Sequence, residues 1–202
     1  GSGFKIAMRD LEIRGAGNIL GPEQSGDIAA VGFELYCKLL KETVDSVIGE
    51  VEIDTLETLV DLRYDGYIPD EYISDEKQKF EIYKKIVGCT TSKDVEGIKK
   101  ELIDRFGDFP EIVDSLLKLS NLKVIGKKLR VNSIIESNEK ILIQFAQNNK
   151  IDVMKLMDFV SKDKNVSLNP KKPDTLFIKT VNLSSLEQKL NRLHGLFDAI
   201  KN

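Results

Sequence analysis

The chain has 202 residues, 41% of them hydrophobic and 31% charged, enough for one good core or for one domain with a fragment of another. A formal net charge of -3 excludes a chain built mainly to neutralise nucleic-acid phosphates, while leaving room for DNA contact by a few residues. No apolar run reaches the ~18 residues of a membrane span, and no basic stretch followed by a long apolar one marks a signal peptide.

Phe4 to Ile13 reads as a short amphipathic helix with Phe4, Ala7, Met8 and Leu11 on one face. Arg14 to Gly26 holds four glycines and a proline, which excludes a regular helix or a central strand. Asp27 is a candidate N-cap for a long helix reaching about Gly49, striped by Ile28, Val31, Leu35, Leu39, Val44, Val47 and Ile48. The stripe must pack on something, and these two helices come with no sheet. Residues 1–48 therefore look incomplete by themselves.

Gly49 to Thr58 is acidic, with Val51 and Ile53 alternating, and reads as a linker into a strand over Leu59 to Tyr67 that Ile68-Pro69 ends. Asp75 starts a helix through Phe80, Ile82, Tyr83 and Ile86, stopped by Gly88. Ser92 to Phe106 is a further helix, with Gly107 at its C-terminal end. Pro110 opens another to about Ile125. Strands follow over Leu129 to Glu136 and Lys140 to Phe145, joined by a turn at Ser137-Asn138-Glu139. Then come a helix over Asp152 to Lys162, candidate strands at Val166 to Leu168 and Leu176 to Val181, and a last helix over Ser184 to Lys201. That helix carries Leu186, Leu190, Leu193, Leu196, Phe197 and Ile200 on one face.

Helices and strands in blocks with hairpin-length connections predict an α+β fold rather than a doubly wound parallel sheet. The expected arrangement is a helix, a glycine-rich loop and a long helix over 1–48, followed by a mixed α+β domain with a largely antiparallel sheet over 49–202. Cys37 and Cys89 lie far apart in helix-like segments and read as buried or half-buried thiols of a reducing cytosol. His194 is the only histidine and has no ligand partner at metal spacing, so no metal site is expected. Lys123, Lys127, Lys128 and Arg130 read first as a solvated helix end and second as a DNA contact. Tyr64, Tyr67 and Tyr72 are expected to pack a sheet edge, with a partner surface as the alternative. Asp104-Arg105 has no second acid, nucleophile or histidine placed to make it catalytic.

The glycine-rich loop is the chemically suggestive segment. Glycines let a backbone take positive φ and approach another surface closely. Arg14, where helix meets loop, can hold a phosphate or carboxylate with two parallel hydrogen bonds. Gln24 offers donors and an acceptor at the far end. On spacing alone, a structural loop with Arg14 capping carbonyls and pairing with Glu12 or Glu23 is the stronger reading. No Lys-Ser/Thr follows the glycines, so this is not a P-loop.

The run Gly3-Phe-Lys-Ile-Ala-Met-Arg-Asp-Leu-Glu-Ile-Arg14-Gly-Ala-Gly-Asn-Ile-Leu-Gly21-Pro-Glu-Gln24-Ser-Gly26 resembles the translocation motif shared by RecG and the transcription-repair coupling factors. Ala30-Val-Gly-Phe-Glu-Leu-Tyr36, Ile68-Pro-Asp-Glu-Tyr-Ile73, Phe80-Glu-Ile-Tyr-Lys-Lys-Ile86 and Glu101-Leu-Ile-Asp-Arg-Phe-Gly107 resemble the coupling factors specifically. Motif likeness extends to about Pro110; beyond it the resemblance rests on length and element order.

The resemblance implies that residues 1–48 end a translocase lobe and that 49–202 form its C-terminal regulatory domain. It implies that loop 14–26 couples ATP hydrolysis to movement on DNA, with Arg14 and Gln24 as the functional residues among Gly15, Gly17 and Gly21. It also implies that Glu101 and Asp104 meet arginines on an N-terminal UvrB-like module, restraining the motor. The parent would be a cytoplasmic ATPase using ATP and magnesium, acting on double-stranded DNA and RNA polymerase and recruiting UvrA. The ATP-binding motifs of such a parent lie upstream, so no cofactor and no catalytic residue are expected in this chain. The rival reading is a free-standing protein-interaction domain without a motor role.

Overall fold

The computed structural model describes residues 56–202, which divide into two units: residues 63–121, and residues 56–62 together with 122–202. The expected helix–loop–helix over 1–48 lies outside the described residues, as does the apolar stripe from Ile28 to Ile48.

The first unit is helical. α1 (Glu76–Val87) begins at Asp75, whose carboxylate accepts from Gln78 N at 2.8 Å and satisfies one of the donors a helix start leaves open. Its Ile82, Tyr83 and Ile86 are buried. Lys79 is also wholly buried, and its ammonium donates to the Asp70 carboxylate. The Tyr83 hydroxyl accepts from Ile68 N at 2.7 Å. α2 (Ser92–Phe106) starts in a capping box between Thr91 and Asp94 and buries Val95, Ile98 and Leu102. Gly107, at φ 80°, ends it. Tyr72, expected at a sheet edge, closes the end of α2 instead. Its hydroxyl lies 3.1 Å from Leu102 O and 2.9 Å from Gly107 O, and its ring stands edge-on to Phe106 at 6.0 Å. α3 (Glu111–Leu129) supplies Val113, Leu116 and Leu117 to this unit's core before running on into the second.

The second unit is built on a five-stranded sheet in the order β1-β2-β3-β5-β4. The strands are β1 (Leu59–Asp61), β2 (Val131–Ser137), β3 (Lys140–Phe145), β4 (Val166–Asn169) and β5 (Lys172–Lys179). Only β1 runs parallel to its neighbour; the other pairings are antiparallel, as expected. Val60, Ile134, Ile143 and Leu176 fall in register across four strands and are all buried. α5 (Leu186–Ile200), started by a Ser185–Gln188 capping box, buries the whole predicted stripe from Leu186 to Ile200. α4 (Val153–Lys162) starts at Asp152, which accepts from Met154 N and Lys155 N.

Four boundaries differ from expectation. The first strand is three residues long, not nine, and Arg63 at φ 60° lies just past it. β5 begins at Lys172, before Leu176, and contains Pro173 near its start, where a ladder donor is least missed. α3 continues to Leu129 through Gly126, which composition marks as a break. A Cβ on Gly126 would lie 2.7 Å from the Thr58 methyl, so the glycine serves close approach of the β1 segment, and Thr58 Oγ1 donates to Val131 O at 2.8 Å. The hairpin turn is the two residues Asn138 and Glu139, both at positive φ.

Candidate functional site

α2 carries both acids singled out by sequence, and the structure treats them differently. Glu101 faces α1. Lys85 Nζ donates to its two carboxylate oxygens at 2.7 and 2.8 Å, and Arg105, one turn further along α2, donates from Nη1 at 2.6 Å. The hydrogen bonds from Lys85 and then from Arg105 hold the Glu101 carboxyl below the ordinary glutamate range. A depressed carboxylate contributes stability above its unfolded-state pKa and loses it as pH falls through the folded one. An NMR titration should place the Glu101 midpoint below that of an unperturbed glutamate, and Lys85→Gln should move it back up. An unchanged midpoint in the variant would show that Lys85 does not hold the acid.

Asp104 is exposed and makes no ion pair with a described residue. The adjacent Arg105 does not reach it, since neighbouring helix positions point about 100° apart, and Arg105 turns to Glu101 and to the Phe106 ring at 4.9 Å. Lys100 has helical spacing to Asp104, but a base preceding its acid is the weaker order.

Of the remaining predicted residues, Arg14, Gly15, Gly17, Gly21 and Gln24 lie outside the described residues, as does Cys37. Cys89 is half-buried, and its thiol lies 3.3 Å from Lys85 O. Burial, and then Asp94, push its pKa up to about 11, so it is a thiol rather than a nucleophilic thiolate at neutral pH. His194 is half-buried on α5, and desolvation lowers its pKa. Among the described residues no group of three or more His, Cys, Asp or Glu is placed to hold a metal. No described helix is long and apolar enough to cross a membrane. The basic cluster is partly consumed internally: Lys127 pairs with Glu57 at 3.0 Å, and Arg130 Nε donates to Asn148 at 2.8 Å.

Sequence reasoning missed Lys85. It stands in the Phe80–Ile86 run, and only the packing of α1 against α2 gives it a partner.

Residues 62–156 match the TRCF domain family. The whole chain is 35% identical to the transcription-repair-coupling factor of Borreliella burgdorferi, spanning 18% of that protein. It is 40% identical over 161 residues to the corresponding factor of Bacillus subtilis, covering 78% of the chain and 14% of that protein. A crystal structure of the C-terminal domain of transcription-repair coupling factor matches at a TM-score of 0.62 and 29% identity, covering 71% of this chain and 89% of the solved one. The chain spans less than a fifth of the length of these curated relatives. With the α+β architecture of the described residues, these likenesses make the chain a member of the transcription-repair coupling factor family, similar to its C-terminal domain.

Proposed function

We propose that this chain is the C-terminal part of an ATP-dependent DNA translocase that displaces stalled RNA polymerase and brings in excision repair. In this reading residues 1–48 end the translocase lobe and 49–202 are its regulatory domain. ATP and magnesium act in the upstream motor, and double-stranded DNA, RNA polymerase and UvrA are partners of the whole parent. The regulatory domain restrains the motor by docking α2 on an N-terminal UvrB-like module. The supporting observation is Asp104, an exposed carboxylate without an ion pair among the described residues, one turn from Glu101.

Removing a charge contact that holds a marginal closed state shifts the population toward the open one. In the parent, Glu101→Ala with Asp104→Ala should raise ATPase activity, DNA binding and UvrA binding together, each several-fold. The sign is informative, because damage to a core or a catalytic site lowers activity. A folded double variant with all three readouts at the parental level removes the docking role.

Loop 14–26 is the coupling element of this reading, with Arg14 and Gln24 transmitting motion rather than transferring phosphate. Arg14→Ala or Gln24→Ala should leave ATP hydrolysis in place and sharply reduce displacement of stalled polymerase. Normal displacement by both variants would end that assignment.

A further inference from the structure

The second unit bares apolar side chains beside an open sheet edge. On α4, Val153, Met154 and Met157 are 62%, 78% and 48% exposed, and Val160 is half-buried. α5 holds the opposite flank of this helix. Arg192 donates to Asp163 and lies over the Phe159 ring at 5.7 Å, and Lys155 Nζ donates to Lys201 O at 3.0 Å. At about 100° per residue, Val153, Met157 and Val160 fall on the flank away from those contacts. α4 also packs on β4, to which only Asp163–Asn165 join it. The bare flank therefore borders the outer side of β4.

β4 ends the sheet, and no other described strand pairs with its far side. Lys179 N donates to Asn165 O at 2.9 Å, so Asn165 and Lys179 form a hydrogen-bonded pair, as do Ser167 and Phe177 two residues on. By the alternation of an antiparallel ladder, Val166 and Leu168 turn their backbone groups away from β5. Val166 N donates to Asp163 O at 3.0 Å. The Val166 carbonyl and both backbone groups of Leu168 face the open side. Leu168, half-buried, points its side chain to the same face of the sheet as buried Val166.

The rim is basic. Asp152 caps α4, Asp158 pairs with Lys162 at 2.7 Å, Asp163 pairs with Arg192, and Asp174 meets Gln144 and Thr175. Lys164 before the strand and Lys171 and Lys172 after it are exposed and make no ion pair with a described residue. A second copy placed edge to edge would bring these lysines against its own, and an apolar patch of a few hundred Å² falls short of the ~800 Å² per partner of a stable dimer. The short strand, the lysines and Pro170 guard an edge against indiscriminate pairing. They give no reason for two exposed methionines beside it, a side chain suited to adaptable binding surfaces. We propose that β4 and the outer flank of α4 accept an extended, acidic segment of a partner protein, which adds a strand to β4 and lays alternate apolar side chains on Val153, Met157 and Leu168.

The test uses the 202-residue chain and a labelled, end-blocked peptide Glu-Val-Glu-Ile-Glu-Val, with affinity read by anisotropy and the contact mapped by NMR. Binding should shift the Leu168 amide and the Met154 and Met157 methyl signals. The lysine counterpart, Lys-Val-Lys-Ile-Lys-Val, should bind at least about tenfold more weakly. Met157→Glu, and separately Lys171→Glu with Lys172→Glu, should each weaken binding by about tenfold while thermal melts stay unchanged, since these side chains lie at the surface. An added strand turns alternate amides to its neighbour. Of two N-methylated peptides, one blocked at its valines and isoleucine and the other at its glutamates, one should therefore lose binding and the other keep it. Equal behaviour of these two peptides, or full affinity in Met157→Glu, overturns strand addition at this edge. No saturable binding overturns the acidic segment as occupant. A dimer dispersed by Met157→Glu assigns the edge to a second copy, and tighter peptide binding in Val51→Lys with Ile53→Lys assigns it to the chain's own acidic run; either result overturns the partner.

Discussion

Phe197→Ala should destabilise the second unit by about 3–5 kcal/mol, the cost of deleting a large aromatic from a packed interior and leaving a cavity. Phe197 is 2% exposed and sits in the apolar face of α5 between Leu193 and Ile200, both wholly buried. Every residue of that stripe is buried, so little can collapse into the vacated volume. α5 is also held at its start by the Ser185–Gln188 box, which limits its freedom to slide. The measurement is urea unfolding followed by a probe in the second unit, since two units need not melt as one. A loss below about 1 kcal/mol would mean that α5 is not the lid of this core.

Glu136→Ala comes second and works by a different physics. Glu136 on β2 accepts from Lys189 Nζ on α5 at 2.8 Å, with the two side chains 10% and 9% exposed. Removing one partner of a nearly buried pair leaves the other charge less well compensated and costs up to about 3–5 kcal/mol. Replacing both together, with Glu136→Leu and Lys189→Met, should cost far less or even stabilise the unit, because neither desolvated charge remains. A double-mutant cycle therefore separates the two effects, with a large coupling energy expected between these contacting sites. If Glu136→Ala alone proves as mild as an exposed-pair deletion, under about 1 kcal/mol, water reaches the lysine and the pair is a surface one.

Much of this protein was legible along the chain because the relevant signals are local. Asp75 and Asp152 announce helix starts through side chains that reach backbone donors two or three residues away. The stripe from Leu186 to Ile200 announces a buried face through a period of 3.6. The hairpin strands around Asn138-Glu139 follow from a run of β-branched and apolar residues interrupted by turn residues. The motif resemblance likewise lives in contiguous residues, and the family match over residues 62–156 falls where most of those motifs lie. Tertiary structure decided what depends on residues far apart in sequence. Gly126 reads as a helix breaker until Thr58, 68 positions away, is seen to occupy the space a side chain would need. The first strand is cut to three residues because only Leu59–Asp61 finds β2 to pair with. Tyr72 leaves the predicted sheet edge because carbonyls at the end of α2 offer its hydroxyl partners. Glu101 and Asp104 look alike in the sequence. Lys85 and Arg105 make them unlike, since a carboxylate's availability is set by the cations that folding brings beside it.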